Sequence, residues 1–256
     1  MYTDNIIHIA ADAGKIILEN GGETYRVEET ISKICEAYDI KTVENFVTPT
    51  IIVISILNEN SETITVVRRI KNRTVNLKKV SLVNDLSRSV YNRNISMDDI
   101  RSELKYIDTI PRYSNEMTTF MSGLSAGFFT LLFGGAFRDF VVSVFIGIII
   151  NLIINLFNKY KVNNFFSNVC GGLFAASVAI VISYFCPNFN VDTIIIGSIM
   201  LLVPGLVITN AIRDTLAGDL LSGISRSVEA LMIAAGIAIG TTIGFKLWLY
   251  ILGGAL

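Results

Sequence analysis

The sequence predicts a membrane α-helical bundle of five transmembrane helices, preceded by a small α+β cytoplasmic domain. Three observations predict it. Charge is unevenly distributed: residues 1–116 hold 32 Asp, Glu, Lys and Arg, and the remaining 140 hold 11, so a polar module precedes an apolar one. The apolar part contains five runs, each close to the roughly 20 residues that a helix needs to cross a hydrocarbon core of about 30 Å. The polar part switches between helical and strand periodicity, as a mixed domain does. Overall the chain is 17% charged, with a mean hydropathy of +0.56; soluble domains are nearer about a quarter charged. A net charge of −1 leaves no electrostatic footprint for nucleic acid.

The first module is assigned to residues 1–113. DNIIHIAADAGKIILENGG places Ile6, Ile9, Ala10, Ala13 and Ile17 at helical spacing, and Gly21-Gly22 ends the run. The start carries Asp4 and Asp12 and lacks the basic segment of a secretory signal, so this module is expected to stay in the cytoplasm. ETYRVEETISKICEAY turns Tyr25, Val27, Ile31, Ile34 and Tyr38 toward a core. VENFVTPTIIVISILN and ETITVVRRI are rich in β-branched residues and flank Asn58-Glu59-Asn60-Ser61, which predicts a hairpin. LKKVSLVNDLSRSVYN returns to helical spacing, and SMDDIRSELKYI opens with Ser96 as N-cap ahead of Asp98 and Asp99.

Chemistry has no visible carrier in this module. Glu23 and Glu28 in GGETYRVEET invite an acid–base pair, but no Ser-His-Asp, Cys-His or metal-ligand set accompanies them. They read as an exposed helix face with ion pairs around Arg26. His8 sits among Ile7, Ile9 and Ala10, and Cys35, Cys170 and Cys186 have neither metal nor disulfide spacing, which leaves them as small buried or lipid-facing residues. The expectation is a protein that is not an enzyme and has no cofactor and no metal.

The second module, residues 114–256, is expected to cross the bilayer at about 117–137, 140–157, 165–185, 191–210 and 228–252. Basic residues set its orientation. Arg112, Lys159, Lys161, Arg213 and Arg226 fall on the side of the soluble domain, and Arg138 stands alone opposite, which predicts the N-terminal domain in the cytoplasm and the C-terminus outside. Lys246, Trp248 and Tyr250 suit the outer interface. Small residues mark packing faces: Gly236, Gly240 and Gly244 on the fifth span, Gly123 and Gly127 on the first, and Gly171, Gly172, Ala175 and Ala176 on the third. They predict a tight bundle or an oligomer. Asn151 and Asn155 lie one turn apart on the second span, and Thr118, Ser122 and Ser125 line one side of the first. An amide in lipid needs a partner, supplied either by interhelical hydrogen bonds or by a polar translocation path.

The most informative stretch is LLVPGLVITNAIRDTLAGDL, residues 201–220. Pro204 removes a backbone donor and Gly205 loosens the chain beside it. Such breaks bind small solutes in transporters, through freed carbonyls and half-helix ends. Thr209, Asn210, Arg213, Asp214, Asp219, Arg226 and Glu229 follow within 25 residues of the break. Arg213 and Arg226 could receive a carboxylate through paired hydrogen bonds, and Asp214, Asp219 or Glu229 an ammonium group or a proton. A kinked helix with a charged cytoplasmic loop is the structural alternative.

VPGLVITNAIRDTLAGDLLSGISRSVEA, with AGKIILENGGETYRVEET, FVTPTIIV, TVVRRI and NLKKVSLVNDLSR, resembles the threonine/serine exporter family over essentially the whole chain. The resemblance implies a cytoplasmic domain followed by membrane spans, in the plasma (inner) membrane, and secondary export of small hydrophilic metabolites. Threonine and serine come first as substrates, and a succinate-like dicarboxylate next. Long family members continue through a second, shorter membrane half. Its absence here implies a separate small membrane subunit as partner, besides the lipid bilayer. No GxxxxGK[ST] loop is present, so an ion gradient or the substrate's own gradient drives flux. The reading from another class is a membrane-anchored sensor or scaffold acting through its cytoplasmic domain.

Overall fold

The computed structural model describes residues 2–58, 61–93 and 95–252. Among them the chain is mostly helical, with ten helices and one three-stranded antiparallel sheet. It divides into two compact units. The first comprises residues 1–112 and 206–228, the second residues 113–205 and 229–256.

The first unit opens with α1 (Tyr2–Glu19) and α2 (Thr24–Glu36). Ile6, Ile9, Ala10, Ala13 and Ile17 of α1 are all buried, as their spacing predicts. The helix stops at Gly21, whose φ of +94° is open to glycine and strained for other residues. On α2, Val27, Ile31 and Ile34 enter the same core, and Tyr38 packs against it just past the helix. Tyr25 does not join them; its ring lies beneath the Arg26 guanidinium instead.

Three strands follow where a two-stranded hairpin was expected: β1 (Val43–Thr48), β2 (Ile51–Leu57) and β3 (Thr63–Arg69), in the order β1-β2-β3. The stretch VENFVTPTIIVISILN folds back on itself at Pro49-Thr50, pairing Thr48 with Ile51. Proline cannot donate to a ladder, and a turn is where its fixed φ is tolerated. Glu59 and Asn60 of the second expected turn lie outside the described residues. The central strand buries Ile52, Ile54 and Ile56 on one face, against the helices. Helices α3 (Leu77–Arg93) and α4 (Met97–Thr109) complete the layer, and Ser96 caps α4 by accepting from the Asp99 amide at 3.2 Å. Burial pushes the Cys35 thiol up to about 12, so it behaves as an inert core residue.

The second unit contains α5 (Asn115–Leu132), α6 (Phe137–Lys159), α7 (Asn164–Phe185), α8 (Val191–Ile199) and the greater part of α10 (Leu220–Ile251). Small residues let its backbones approach. A Cβ at Gly147 would sit 2.9 Å from the Ser122 carbonyl oxygen, and one at Gly172 2.7 Å from that of Ile237. Gly236, Gly240 and Gly244 of α10 face Phe165, Val169 and Leu173 of α7, one turn apart on each helix.

Five crossings are not found. Among the described residues, three helices are long and apolar enough to cross a membrane: Phe137–Lys159, Asn164–Phe185 and Leu220–Ile251. The stretch at 117–137 fails because α5 stops at Leu132, and its first turn carries Asn115 and Glu116. The stretch at 191–210 fails because the helix breaks. Here α8 ends at Ile199, the chain turns through Pro204, and α9 (Gly205–Ala217) starts afresh. The last span starts earlier than expected, at Leu220 in place of residue 228.

Candidate functional site

The residues around the Pro-Gly break divide between the two units. Asn210, Arg213 and Asp214 on α9 and Arg226 in the first turns of α10 gather at the turn between α1 and α2. Thr209 and Asp219 belong to the same unit, Thr209 exposed and Asp219 half-buried. Pro204, Gly205, Glu229, Asn151 and Asn155 belong to the other unit.

Asp214 is the centre of the cluster and has no solvent exposure. Its Oδ1 accepts from the Thr24 amide at 3.1 Å, and its Oδ2 accepts from the Thr24 hydroxyl at 3.1 Å. Thr24 opens α2, whose own N-cap residue, Glu23, makes no side-chain cap bond. A carboxylate from 190 residues away therefore caps α2, where free amides and the positive end of the helix dipole favour an anion. Arg226 neutralises it. Its Nε lies 2.9 Å from Asp214 Oδ2, a charge contact whose N–H does not aim at the oxygen, and its Nη2 donates to the Gly22 carbonyl at 3.0 Å. Both partners of this ion pair are buried, as burial of a charge requires.

Two further bonds fix α9 to the same turn. Asn210 Nδ2 donates to the Gly21 carbonyl at 3.0 Å, and Arg213 Nη1 donates to Glu23 Oε1 at 2.5 Å. Glu23 also accepts from Arg26 Nε at 2.8 Å, so it bridges two guanidinium groups. Burial pushes the Glu23 carboxyl up, but hydrogen bonds from Arg26, from its own backbone and from Arg213 outweigh this and hold it below the usual range. Glu28 behaves oppositely. Burial and the Asp219 carboxylate raise it against the pull of the Val47 amide, which donates to its Oε1 at 3.2 Å, and Asp214 raises it further. Asp219 is itself raised, by burial and then by Asp214. The cluster thus combines a neutralised buried pair with two half-buried carboxyls, Glu28 and Asp219, both raised by burial and by neighbouring carboxylates.

Sequence reasoning named Asn210, Arg213, Asp214 and Arg226 but missed their partners. Gly21, Gly22, Glu23 and Thr24 receive or donate every bond described above between α9–α10 and the α1–α2 turn. The available signal was that GGET and ITNAIRD both stood among the motifs carrying the family resemblance. In the other unit, Asn151 and Asn155 form a ladder. Asn151 accepts from the Thr119 hydroxyl at 2.9 Å and from Asn155 Nδ2 at 2.9 Å, and donates to Ser122 at 3.1 Å. Interhelical bonding therefore occupies the Asn151 amide. Asp139, read from sequence as part of a turn, is a buried cap: it accepts from the Ala136 amide at 2.8 Å and from the Asn190 amide at 3.2 Å.

The sequence profile of the family described as "Putative threonine/serine exporter" matches residues 8–248. The chain belongs to the threonine/serine exporter family. All the residues of the α1–α2 turn and of α9 lie within that match. A "Probable threonine/serine exporter" of Mycobacterium tuberculosis is 21% identical over 96% of the chain, which spans 47% of that protein, about half its length. The "Probable succinate transporter subunit YjjP" of Klebsiella aerogenes is 24% identical over 91% of the chain, which covers 90% of it. The protein of the same name from Escherichia coli is 23% identical over 95% of the chain, which covers 94% of it. No solved structure matches. Family membership and the apolar helices make this exporter-family chain a membrane protein with a role in transport.

Proposed function

We propose that the protein is a subunit of a secondary exporter of small polar, carboxylate-bearing metabolites in the plasma (inner) membrane. Threonine and serine are the first substrates to test, following the description of the family. A dicarboxylate is the second, because the two relatives that the chain nearly spans are named as succinate transporter subunits. The same near-complete coverage of proteins named as subunits supports a separately encoded small membrane partner.

The observation that carries the reading is the Asp214–Arg226 pair at the start of α2, inside a family match covering residues 8–248. A transporter needs charged groups that can be buried without being wasted, and here each one is matched. In this reading the pair, with Asn210, Arg213 and Glu23, is a joint that sets the position of α9 immediately after the Pro204-Gly205 break. Thr209 and Asp219 in the first unit, and separately Glu229 and the backbone around Pro204 in the second, are proposed as groups on the pathway of the substrate or a coupling proton. Asn151 and Asn155 support the proposed pathway by fixing α5 to α6.

Counterflow tests this. The protein is reconstituted with its candidate small subunit in vesicles loaded with serine, threonine or succinate, and uptake of the labelled solute is followed. Saturable exchange of at least one of the three, lost in Asp214→Ala and Asp219→Asn, is expected. Absence of exchange with all three, from a folded complex, overturns the exporter reading. Exchange at the wild-type rate in Asp214→Ala removes the joint from it.

A further inference from the structure

A cleft of about 460 Å³ opens in the first unit between α1 and α4, far in sequence from α9. Its volume falls within the range of small-molecule sites, about 300–1,000 Å³. Its apolar floor is Ile9, Ile16 and Leu104, all buried. Six charged groups rim it: Asp12, Glu19 and Asp108, and Lys15, Arg101 and Lys105.

By count the rim is neutral. By pairing it is not. Two of the carboxylates are served by cations that do not line the cleft: Asp12 accepts from Arg68 Nε at 3.1 Å, and Asp108 lies 3.4 Å from Lys79 Nζ. The cations of the rim have no comparable partners. Arg101 donates to the neutral Asn5 amide oxygen at 3.2 Å, and Lys15 stands 3.9 Å from Glu19. Lys105 has no ion pair among the described residues. Glu19 is matched by Lys15 at 3.9 Å, which leaves Arg101 and Lys105 as the rim cations without a carboxylate among the described residues. The cleft therefore presents unspent positive charge above a hydrocarbon floor.

We propose that this cleft is a binding site for a small organic anion, a carboxylate on a short carbon chain. The carboxylate is held by Arg101 and Lys105, and the chain lies on Ile9, Ile16 and Leu104. Guanidinium and ammonium groups bind carboxylates through charge-assisted hydrogen bonds, roughly twice as strong as neutral ones. The site is separate from the Asp214 cluster, and α1 connects the two: it runs from the cleft to Gly21 and Gly22, whose carbonyls hold Asn210 and Arg226. A ligand bracing α1 against α4 would thereby reach the joint.

The test is hydrogen–deuterium exchange on the full-length protein in nanodiscs, with succinate, serine and inorganic phosphate as separate probes. Succinate is expected to slow exchange in peptides covering residues 9–19 and 101–108, more strongly than either other probe. In the Arg101→Gln/Lys105→Gln double variant the apparent affinity falls by at least about tenfold, as loss of two charge-assisted bonds requires. The exposed control Lys41→Gln keeps it. No protection of these two segments by succinate overturns the proposal, as does protection unchanged in the double variant. Phosphate equal to succinate removes the role of the apolar floor, and serine equal to succinate removes the surplus of cations; either result overturns the ligand class. Failure here is distinct from failure of the exporter reading, which is judged by counterflow in the wild type alone.

Discussion

Asp214 and Arg226 illustrate what a buried ion pair does to a fold. Removing one partner leaves an uncompensated charge, at a cost of about 3–5 kcal/mol, whereas removing both can be close to neutral. Asp214→Ala and Arg226→Ala should each lower the stability of the protein in detergent by that order, and Asp214→Ala/Arg226→Ala by clearly less than the sum. Chemical unfolding of the four proteins measures the coupling; additive losses would mean that the two groups act independently. Arg213 is a contrast. Its side chain is 53% exposed, so Arg213→Ala should cost no more than about 1 kcal/mol. Glu28 gives a pH dependence with the opposite sign to that of a salt-bridged carboxylate. Burial and Asp219, then Asp214, raise it above its ordinary 4.5, while the Val47 amide opposes them. The folded protein therefore binds that proton more tightly than the unfolded chain, so this contribution to stability grows as pH falls through the raised value toward 4.5 and is absent at neutral pH. Glu23 acts in reverse: its contribution is present at neutral pH and is lost as pH falls through its lowered value. Melting curves of Glu28→Gln should show a gain at neutral pH and a flatter acid limb than wild type. A variant less stable than wild type at neutral pH would show that the folded protein favours the charged form.

Among the elements, α1, α2 and β2 were legible because burial imposes a period, and Ile6, Ile9 and Ala10 or Ile52, Ile54 and Ile56 display it. The turn at Pro49 was not read, because the continuous β-branched run around it masks the reversal. The break at Pro204 was legible too, since a missing donor is a local property. What α9 packs against was not, because Thr24 and Asp214 are 190 residues apart and no local rule connects them. The lipid-facing helices are legible from composition alone, whereas their partners depend on small residues and amides. Asn151 makes three hydrogen bonds with Thr119, Ser122 and Asn155, and Asn155 makes one of these. At about 0.6 kcal/mol for each such bond, Asn151→Ala should destabilise the second unit roughly three times as much as Asn155→Ala. Thermal denaturation of the two variants in one detergent compares them, and equal losses would place Asn155 in bonds beyond the ladder. Gly240→Leu should cost more than either, because even its Cβ would overlap the Val169 carbonyl oxygen.

For the molecule as a whole, the membership of residues 206–228 in the first unit bears on the number of crossings in the proposed topology. In that topology a segment folded with residues 1–112 shares their side of the membrane, and the chain between 112 and 206 is then expected to cross an even number of times. The candidate spans Phe137–Lys159 and Asn164–Phe185 would supply two. The third candidate, Leu220–Ile251, is then expected to start on the side of the first unit and lead away from it. Five crossings and three lead to the same expected parity. A single cysteine at Lys41 and another at Tyr250, each in a Cys35→Ala/Cys170→Ala/Cys186→Ala background, should react with a membrane-impermeant maleimide from opposite sides of intact cells or inverted vesicles. With the first unit in the cytoplasm, as the basic residues predict, Tyr250→Cys is labelled in intact cells and Lys41→Cys only after inversion. Labelling of both from one side would mean that α10 does not cross, and the buried Asp214–Arg226 pair would then belong to a chain folded against one face of the bilayer, with no span leading away from its joint.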